Sequence, residues 1–397
     1  MKILSITAQK PHGTGSGVFL TELVNGFAQR GIEQAVVSGI YEEDEIDFPC
    51  EVDFYPVYFK KDKLPYPITG MSDEMPYQST RYCDLDEQMT RQFRQAFMTR
   101  IIEVVKSFQP DVVLCHHLYL LTAYVREAFP NLKVYGVCHG SDLRQIKKNA
   151  LERQFIMKQI RSLDGIFALH EEQKEVIADI FSYRADQITV TGIGYNNKIF
   201  YRQDRRAVKP PIQLIFAGKI SEKKGVISLI RCLDRLGYEP QQLTLKLAGG
   251  SGADAEYAEI RRVAAACKYP VKFLGRLSQS RLAQAFNESH IFVLPSFYEG
   301  LPLVIAEAAA CGLPVVVTDL PGIRPWMNGS TKGCQIAYVE PPQMKDTDEP
   351  VKASLLEFEQ RLAERIERTM QNMGEVHADL SAVSWSGVCS RFLKVIE

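Results

Sequence analysis

No apolar run in this 397-residue sequence approaches the roughly 20 residues that a membrane-spanning helix needs. Charge of one sign is also missing. The formal net charge of −1 gives no whole-molecule attraction for nucleic acid or an anionic membrane, so any anion site has to be local. None of the nine cysteines forms a CxxC pair, and Cys115, Cys138 and Cys311 sit in apolar segments. That pattern argues against a zinc site or a disulfide framework and for buried thiols in a reducing cytoplasm. The start, MKILSITAQK, has too short an apolar stretch for a signal peptide and reads as a first strand. Neither GxxxxGK[ST] nor GxGxxG occurs, which removes the usual P-loop and dinucleotide fingerprints.

What is present is ordinary for an α/β protein: 46% hydrophobic and 24% charged residues. The length favours two domains. Short apolar runs (ILSIT, QAVVSG, DVVLCHH, KVYGVC, DGIFALH, QITVTG) alternate with helical patterns such as VFLTELVNGFAQRG and LTAYVREAF. This alternation predicts a parallel sheet covered on both faces. The stretch from about Tyr41 to Thr90, rich in Tyr, Pro and acidic residues, reads as an insertion or lid rather than core. After a polar linker, YRQDRRAVKPP, a second cycle runs through IQLIFAG, LTLKLAGG, VKFLG and IFVLPS. Domains are expected at 1–205 and 206–380, with a closing segment at 381–397.

The most informative segment is SFYEGLPLVIAEAAACGLPVVVTD. It reads as a loop carrying Glu299, a helix starting near Leu303 that carries Glu307, a stop at Gly312, and a β-branched strand. Carboxylates so placed suit the two ends of an elongated hydroxyl-rich ligand, with its anionic middle at the helix N-terminus. A nucleotide-sugar has that shape. FAGKISEKKG follows a strand and offers Lys219, Lys223 and Lys224 before Gly225, positive charge for a departing diphosphate. VCHGSD places His139 at a strand end, where ligands of open α/β sheets bind. Asp142 behind it reads as a helix cap rather than an orienter of the loop. His116 and His117 also end a strand and line either an acceptor or the core; His170 reads as structural or solvent-facing. The loop HGTGSG, with Gly13, Gly15 and Gly17, permits close backbone approach to a ligand.

The EGLPLVIAEAAACGLPVV context resembles the signature of the retaining glycosyltransferases of family 4, which have the GT-B fold. The resemblance runs in order over almost the whole chain except about Tyr41 to Thr90. It implies two Rossmann-like domains facing each other across a cleft and closing over the donor, with a Ser-Trp helix crossing back to the first domain. It also implies a metal-independent hexosyl transfer from a nucleotide-sugar, with UDP expected; no DxD motif stands in a suitable loop. No cofactor is expected beyond the co-substrate. In these terms Glu299 lies beside the transferred sugar and His139 at its reacting face. Glu307 holds the ribose, and Lys219 and Lys224 meet the diphosphate. Lys219 stands where the family has arginine and lacks its bidentate fork. Gly15, Gly17, Gly218, Gly300, Leu301, Pro302 and Leu303 line the donor, and the backbone at Arg276 and Leu277 reads the base. The alternatives are another GT-B enzyme, such as a nucleotide-sugar epimerase or a phosphorylase, and a non-catalytic nucleotide-sugar-binding protein. The acceptor, whether saccharide, lipid-linked glycan or small molecule, is left open. FKKDKLPY reads either as a peripheral membrane or anionic-acceptor contact or as a solvated loop.

Overall fold

The structure is a computed structural model that describes residues 1–397 except 73, 204–208, 252–253, 347, 375–377 and 381–382, and the side chain of 330. The chain divides into two compact units, Met1–Ile193 with Trp385–Glu397, and Gly194–Ser384. The division falls ahead of the polar stretch expected as a linker, part of which (204–208) lies outside the described residues, as do 381–382 of the expected closing segment.

The first unit is built on β1 (Lys2–Thr7), β2 (Glu33–Ile40) and β3 (Asp53–Tyr58), a two-residue pair β4 (Thr69–Gly70) and β5 (Thr80–Arg81), then β6 (Val112–His116), β7 (Lys133–Val137), β8 (Gly165–Ala168) and β9 (Ile188–Val190). Seven of these form one sheet in the order β3-β2-β1-β6-β7-β8-β9, and every pairing is parallel. Their near-continuous apolar runs fit strands covered on both faces. The strand order reverses between β1 and β6, so the loops after these two strands flank a switch point, the place where open sheets bind ligands.

The Tyr41–Thr90 stretch is not a lid. β3 pairs with β2 from Ala35↔Asp53 to Ile40↔Tyr58, and Tyr41, Val57, Phe59, Leu64, Tyr66, Ile68 and Tyr82 are buried in the core of the first unit. Aromatics scattered without a period of two or 3.6 carry this packing, which is why the pattern resembled an insertion. FKKDKLPY turns its Phe59, Leu64 and Tyr66 inward and pairs Lys61 with Glu42. The helix Glu87–Phe108 then begins at Asp86, whose carboxylate accepts from Met89 N–H at 2.7 Å.

The helix Trp385–Ile396 packs within the first unit. Phe392 touches Phe19, Phe27 and Phe167, the last at a ring-centroid distance of 4.0 Å, and Arg391 donates to Thr191 O at 2.7 Å. Phe392 is fully buried. Phe392→Ala is therefore expected to cost about 3–5 kcal/mol of stability, read from the denaturant midpoint.

The second unit carries β10 (Ile212–Ala217), β11 (Leu243–Ala248), β12 (Val271–Gly275), β13 (Ile291–Leu294), β14 (Val315–Thr318) and β15 (Ile336–Val339), ordered β12-β11-β10-β13-β14-β15 and again parallel. Here the order reverses between β10 and β13. FAGKISEKKG follows the first of these strands and SFYEGLP the second. Among the described residues of the whole chain, no helix is long and apolar enough to cross a membrane, and all nine cysteines are free thiols.

Candidate active site

In the second unit, the loops leaving β10 and β13 are stitched together. Phe297 N–H donates to Lys223 O at 3.0 Å. Gly225 follows Lys224 with φ 68°, and a Cβ there would lie 2.0 Å from Pro295 O, so the two loops approach as closely as backbones allow. This contact brings Lys224 Nζ to 2.7 Å from Glu299 Oε1. Ser296 Oγ donates to the same carboxylate oxygen at 2.8 Å and fixes its direction. Lys223, adjacent in sequence, turns instead to the buried Asp348 at 3.0 Å.

Glu299 is followed by Gly300, Leu301 and Pro302, and the helix Leu303–Ala310 starts at once. Its buried Glu307 lies in the second turn. Gly218 leaves β10 with φ 157° and donates to Ala248 O at 2.9 Å. The neighbouring Gly249 would place a Cβ 1.7 Å from Gly218 O, so no side chain fits between the two loops. Lys219 follows, half-buried. Arg276 and Leu277 lie after β12, where the Arg276 side chain crosses the backbone of Gly250 so closely that a Cβ would meet Nε at 2.5 Å. The loop LAGGSG thus meets both Gly218 and Arg276 at close range, and its Gly252 lies outside the described residues.

In the first unit, Thr14 caps the helix Gly15–Ala28 and its hydroxyl takes the Gly17 N–H at 3.1 Å. Gly17 is a packing glycine, because a Cβ would press within 2.8 Å of Lys10 O and His12 N. Gly15, in contrast, faces open space, leaving its backbone accessible. Gly17→Ala is expected to destabilise by about 1–3 kcal/mol through overpacking, measured by thermal melting, whereas Gly15→Ala costs far less.

The loops after β6 and β7 bring His116, His117 and His139 together. His116 Nδ1 and His139 Nε2 are 3.1 Å apart with rings stacked at 14°, and His117 lies 4.7 Å from His139 between centroids. Phe19 closes the cluster edge-on to His139 at 5.2 Å, and Trp385 stands edge-on to Phe19 at 5.1 Å. Asp142 does not cap its helix as expected: Gly140 occupies the cap position. Its carboxylate accepts instead from Leu118 N–H at 2.9 Å and His139 N–H at 3.3 Å, so it orients the two histidine loops. A fully buried carboxylate seeks unspent backbone donors, and two loops supply them. His170 does cap a helix, accepting from Gln173 N–H at 3.2 Å.

Burial holds all three clustered imidazoles below the usual range: His116 at about 3, with His117 adding to the effect, and His139 well below, with His117 and His116 adding. His117 is lowered too, against a raising contribution from Asp142. The unfolded histidines titrate near 6.5, so as pH falls through that value the unfolded chain binds protons that the folded chain refuses. Stability is therefore expected to fall from about pH 6.5 down toward about 3, and His116→Gln should flatten the drop in denaturant midpoint.

Ser296, Asp348 and Gly249 were not singled out by the sequence. Ser296 had the best signal, the polar residue closing IFVLPS ahead of Glu299.

Residues 13–196 match the family model described as Glycosyltransferase Family 4, and residues 211–347 the one described as Glycosyl transferases group 1. A glycogen synthase from Mycobacterium tuberculosis is 28% identical over 237 residues, 57% of this chain, and the chain spans only 56% of that relative. D-inositol 3-phosphate glycosyltransferase 2 from Catenulispora acidiphila is 24% identical across 99% of this chain and 95% of its own. Anabaena HepE in complex with UDP-glucose superposes with a TM-score of 0.65 at 14% identity, covering 100% of this chain and 96% of that one, a likeness of fold.

Proposed function

This chain belongs to glycosyltransferase family 4 and has the GT-B fold, and from that premise we propose that it transfers a hexose from a UDP-linked donor to an acceptor hydroxyl with retention of configuration and without a metal. The observation that carries the reading is the Lys224–Glu299 pair at the β10/β13 switch point, with Glu307 on the helix that follows. UDP-glucose, the ligand named for HepE, represents the donor class. Lys224 and Lys219 stabilise the diphosphate as the bond from the sugar C1 to its oxygen breaks. The acceptor oxygen bonds to C1 on the face the diphosphate leaves, and its proton passes to a phosphate oxygen. No side chain then has to act as a strong base. Glu299 positions the hexose and Glu307 the ribose. His139 has one nitrogen committed to His116, so its Nδ1 is the atom that meets the sugar.

The test is release of nucleotide from a panel of UDP-, GDP- and ADP-hexoses in excess EDTA, with NMR of the product anomer. Turnover of a UDP-hexose with the donor's anomeric configuration is expected. Turnover of none of the donors, or an inverted product, counts against the reading.

A further inference from the structure

Beyond β15 the chain folds into a small hairpin. Met344 pairs antiparallel with Pro350, Val351 N–H donates to Gln343 O at 2.8 Å, and Lys345 N–H donates to Glu349 O at 2.8 Å. Ser354 ties the base of the hairpin to the helix Leu355–Gln371. Its Oγ accepts from Gln343 N–H at 3.0 Å and donates to Val351 O at 2.8 Å. Lys345, Asp346 and Glu349 are exposed, as hairpin residues usually are. Asp348 is not: its side chain is only 7% exposed and lies 3.0 Å from Lys223 Nζ, which is itself 57% exposed. A carboxylate gives up its water at a high cost unless a charged partner meets it.

That partner belongs to the turn that carries Lys224. Glu222–Lys224 form a single 3₁₀ turn, closed by Gly225 N–H donating to Glu222 O at 2.8 Å. The turn is braced from outside. Glu222 N–H donates to Glu256 Oε1 at 2.6 Å, and Lys223 O accepts from Phe297 N–H at 3.0 Å. Phe297 in turn packs edge-on to Phe358 of the helix Leu355–Gln371 at 5.7 Å. Two adjacent lysines thus leave one short turn in different directions, Lys224 to Glu299 and Lys223 to Asp348. A buried carboxylate close to a diphosphate site repels the ligand unless its charge is cancelled. Paired, Lys223 and Asp348 carry no net charge, so the pair removes both that repulsion and the pull of a second ammonium.

We propose that Asp348 is a positioning residue for the transfer: by binding the Lys223 ammonium it keeps that charge off the donor diphosphate, which Lys224 then meets from a fixed turn. The inference rests on the glycosyl-transfer reading above. Lysine is a compact charge on a flexible stem, so a Lys223 released from Asp348 turns to the nearest anion, the bound diphosphate. A second ammonium there strengthens binding of the nucleotide itself, and binding shared by the ground state and the transition state does not raise kcat. It also draws the diphosphate out of line with Glu299, and small misplacements at a reacting centre cost rate steeply. Asp348 therefore lowers affinity for the nucleotide and preserves the alignment that transfer needs.

The experiment combines calorimetric titration of UDP and of inorganic pyrophosphate with nucleotide release from a UDP-hexose. It compares the full chain as wild type, Asp348→Asn, Lys223→Ala and the double variant. Asp348→Asn is expected to bind UDP and pyrophosphate about two- to fivefold more tightly, the weight of one partly exposed ion pair, while kcat falls about tenfold. Lys223→Ala leaves the carboxylate uncancelled and should weaken both ligands. The double variant removes both charges and should return affinity and kcat close to wild type. Loss of a merely structural contact produces neither the opposite movement of affinity and rate nor that recovery. Weaker UDP binding together with slower turnover in Asp348→Asn, or a double variant as impaired as the worse single one, would overturn the proposal. Should Asp348→Asn fail to fold, the comparison of Lys223→Ala with the double variant decides: the double variant has to bind UDP more tightly. The binding measurements need no turnover, so a wild type that binds UDP but releases no nucleotide from any UDP-hexose counts against the transferase reading alone.

Discussion

Glu299→Ala is expected to lower hexosyl transfer by about 10²–10³-fold, the usual weight of one preorganised group at a reacting centre, with Lys224→Ala falling in the same range. The two side chains touch at 2.7 Å and Ser296 steadies the carboxylate, so their losses are not expected to add. The double variant should be less impaired than the product of the singles, because removing either one already unmakes the pair. Turnover under saturating donor is the measurement. Additive losses would mean that the contact has no bearing on the reaction. The pair also has an electrostatic consequence before donor binding. Each member balances the other's charge, and a donor that presents a diphosphate to Lys224 and hydroxyls to Glu299 replaces one ionic contact by two charge-assisted ones.

Gly225→Ala is expected to remove activity together with stability. The residue holds φ 68°, and a Cβ would meet Pro295 O at 2.0 Å and its carbonyl carbon at 2.8 Å. The left-handed conformation costs a side-chain-bearing residue about 1–2 kcal/mol. Forcing backbone from backbone adds about 1–3 kcal/mol. Separating the loops would also stretch the Phe297–Lys223 hydrogen bond that aligns Lys224 with Glu299. Circular dichroism melts should show the loss of stability, and donor turnover at a temperature where the variant is still folded should show the loss of alignment. A variant that melts like wild type and turns over donor normally would mean the loops do not need this close approach.

The alternating pattern of the sequence was enough to place the parallel strands, because buried parallel strands are written as short β-branched runs that stand out from the helices between them. Glu299, Glu307 and the lysines were findable because they stand in continuous motifs at strand ends. The contact between Lys224 and Glu299 was not, since it depends on which strands lie side by side, and nothing local states that β13 lies beside β10. The stretch from Tyr41 to Thr90 was misread for a related reason. Phe59, Tyr66 and Tyr82 are core residues, but irregular aromatic packing leaves no period to read. The helix Glu87–Phe108 carries a clearer sign in its buried Phe93, Phe97, Ile101, Val104 and Phe108, a helical spacing that begins just beyond the same stretch. Asp142 looked like a cap because Asp near a helix start usually is one; two loops converging on it from elsewhere in the chain decided otherwise. The φ of 76° at His117 has no sequence signal at all.

The most direct test of the donor site is calorimetric binding of UDP and of a UDP-hexose to wild type, Lys224→Ala and Glu299→Ala. Lys224→Ala should weaken both ligands, since both carry the diphosphate. Glu299→Ala should weaken the UDP-hexose alone and leave UDP as tight as in wild type, or tighter because Lys224 is released. Equal weakening of both ligands by Glu299→Ala, or no change with either variant, would contradict a site in which Lys224 grips the diphosphate and Glu299 the sugar.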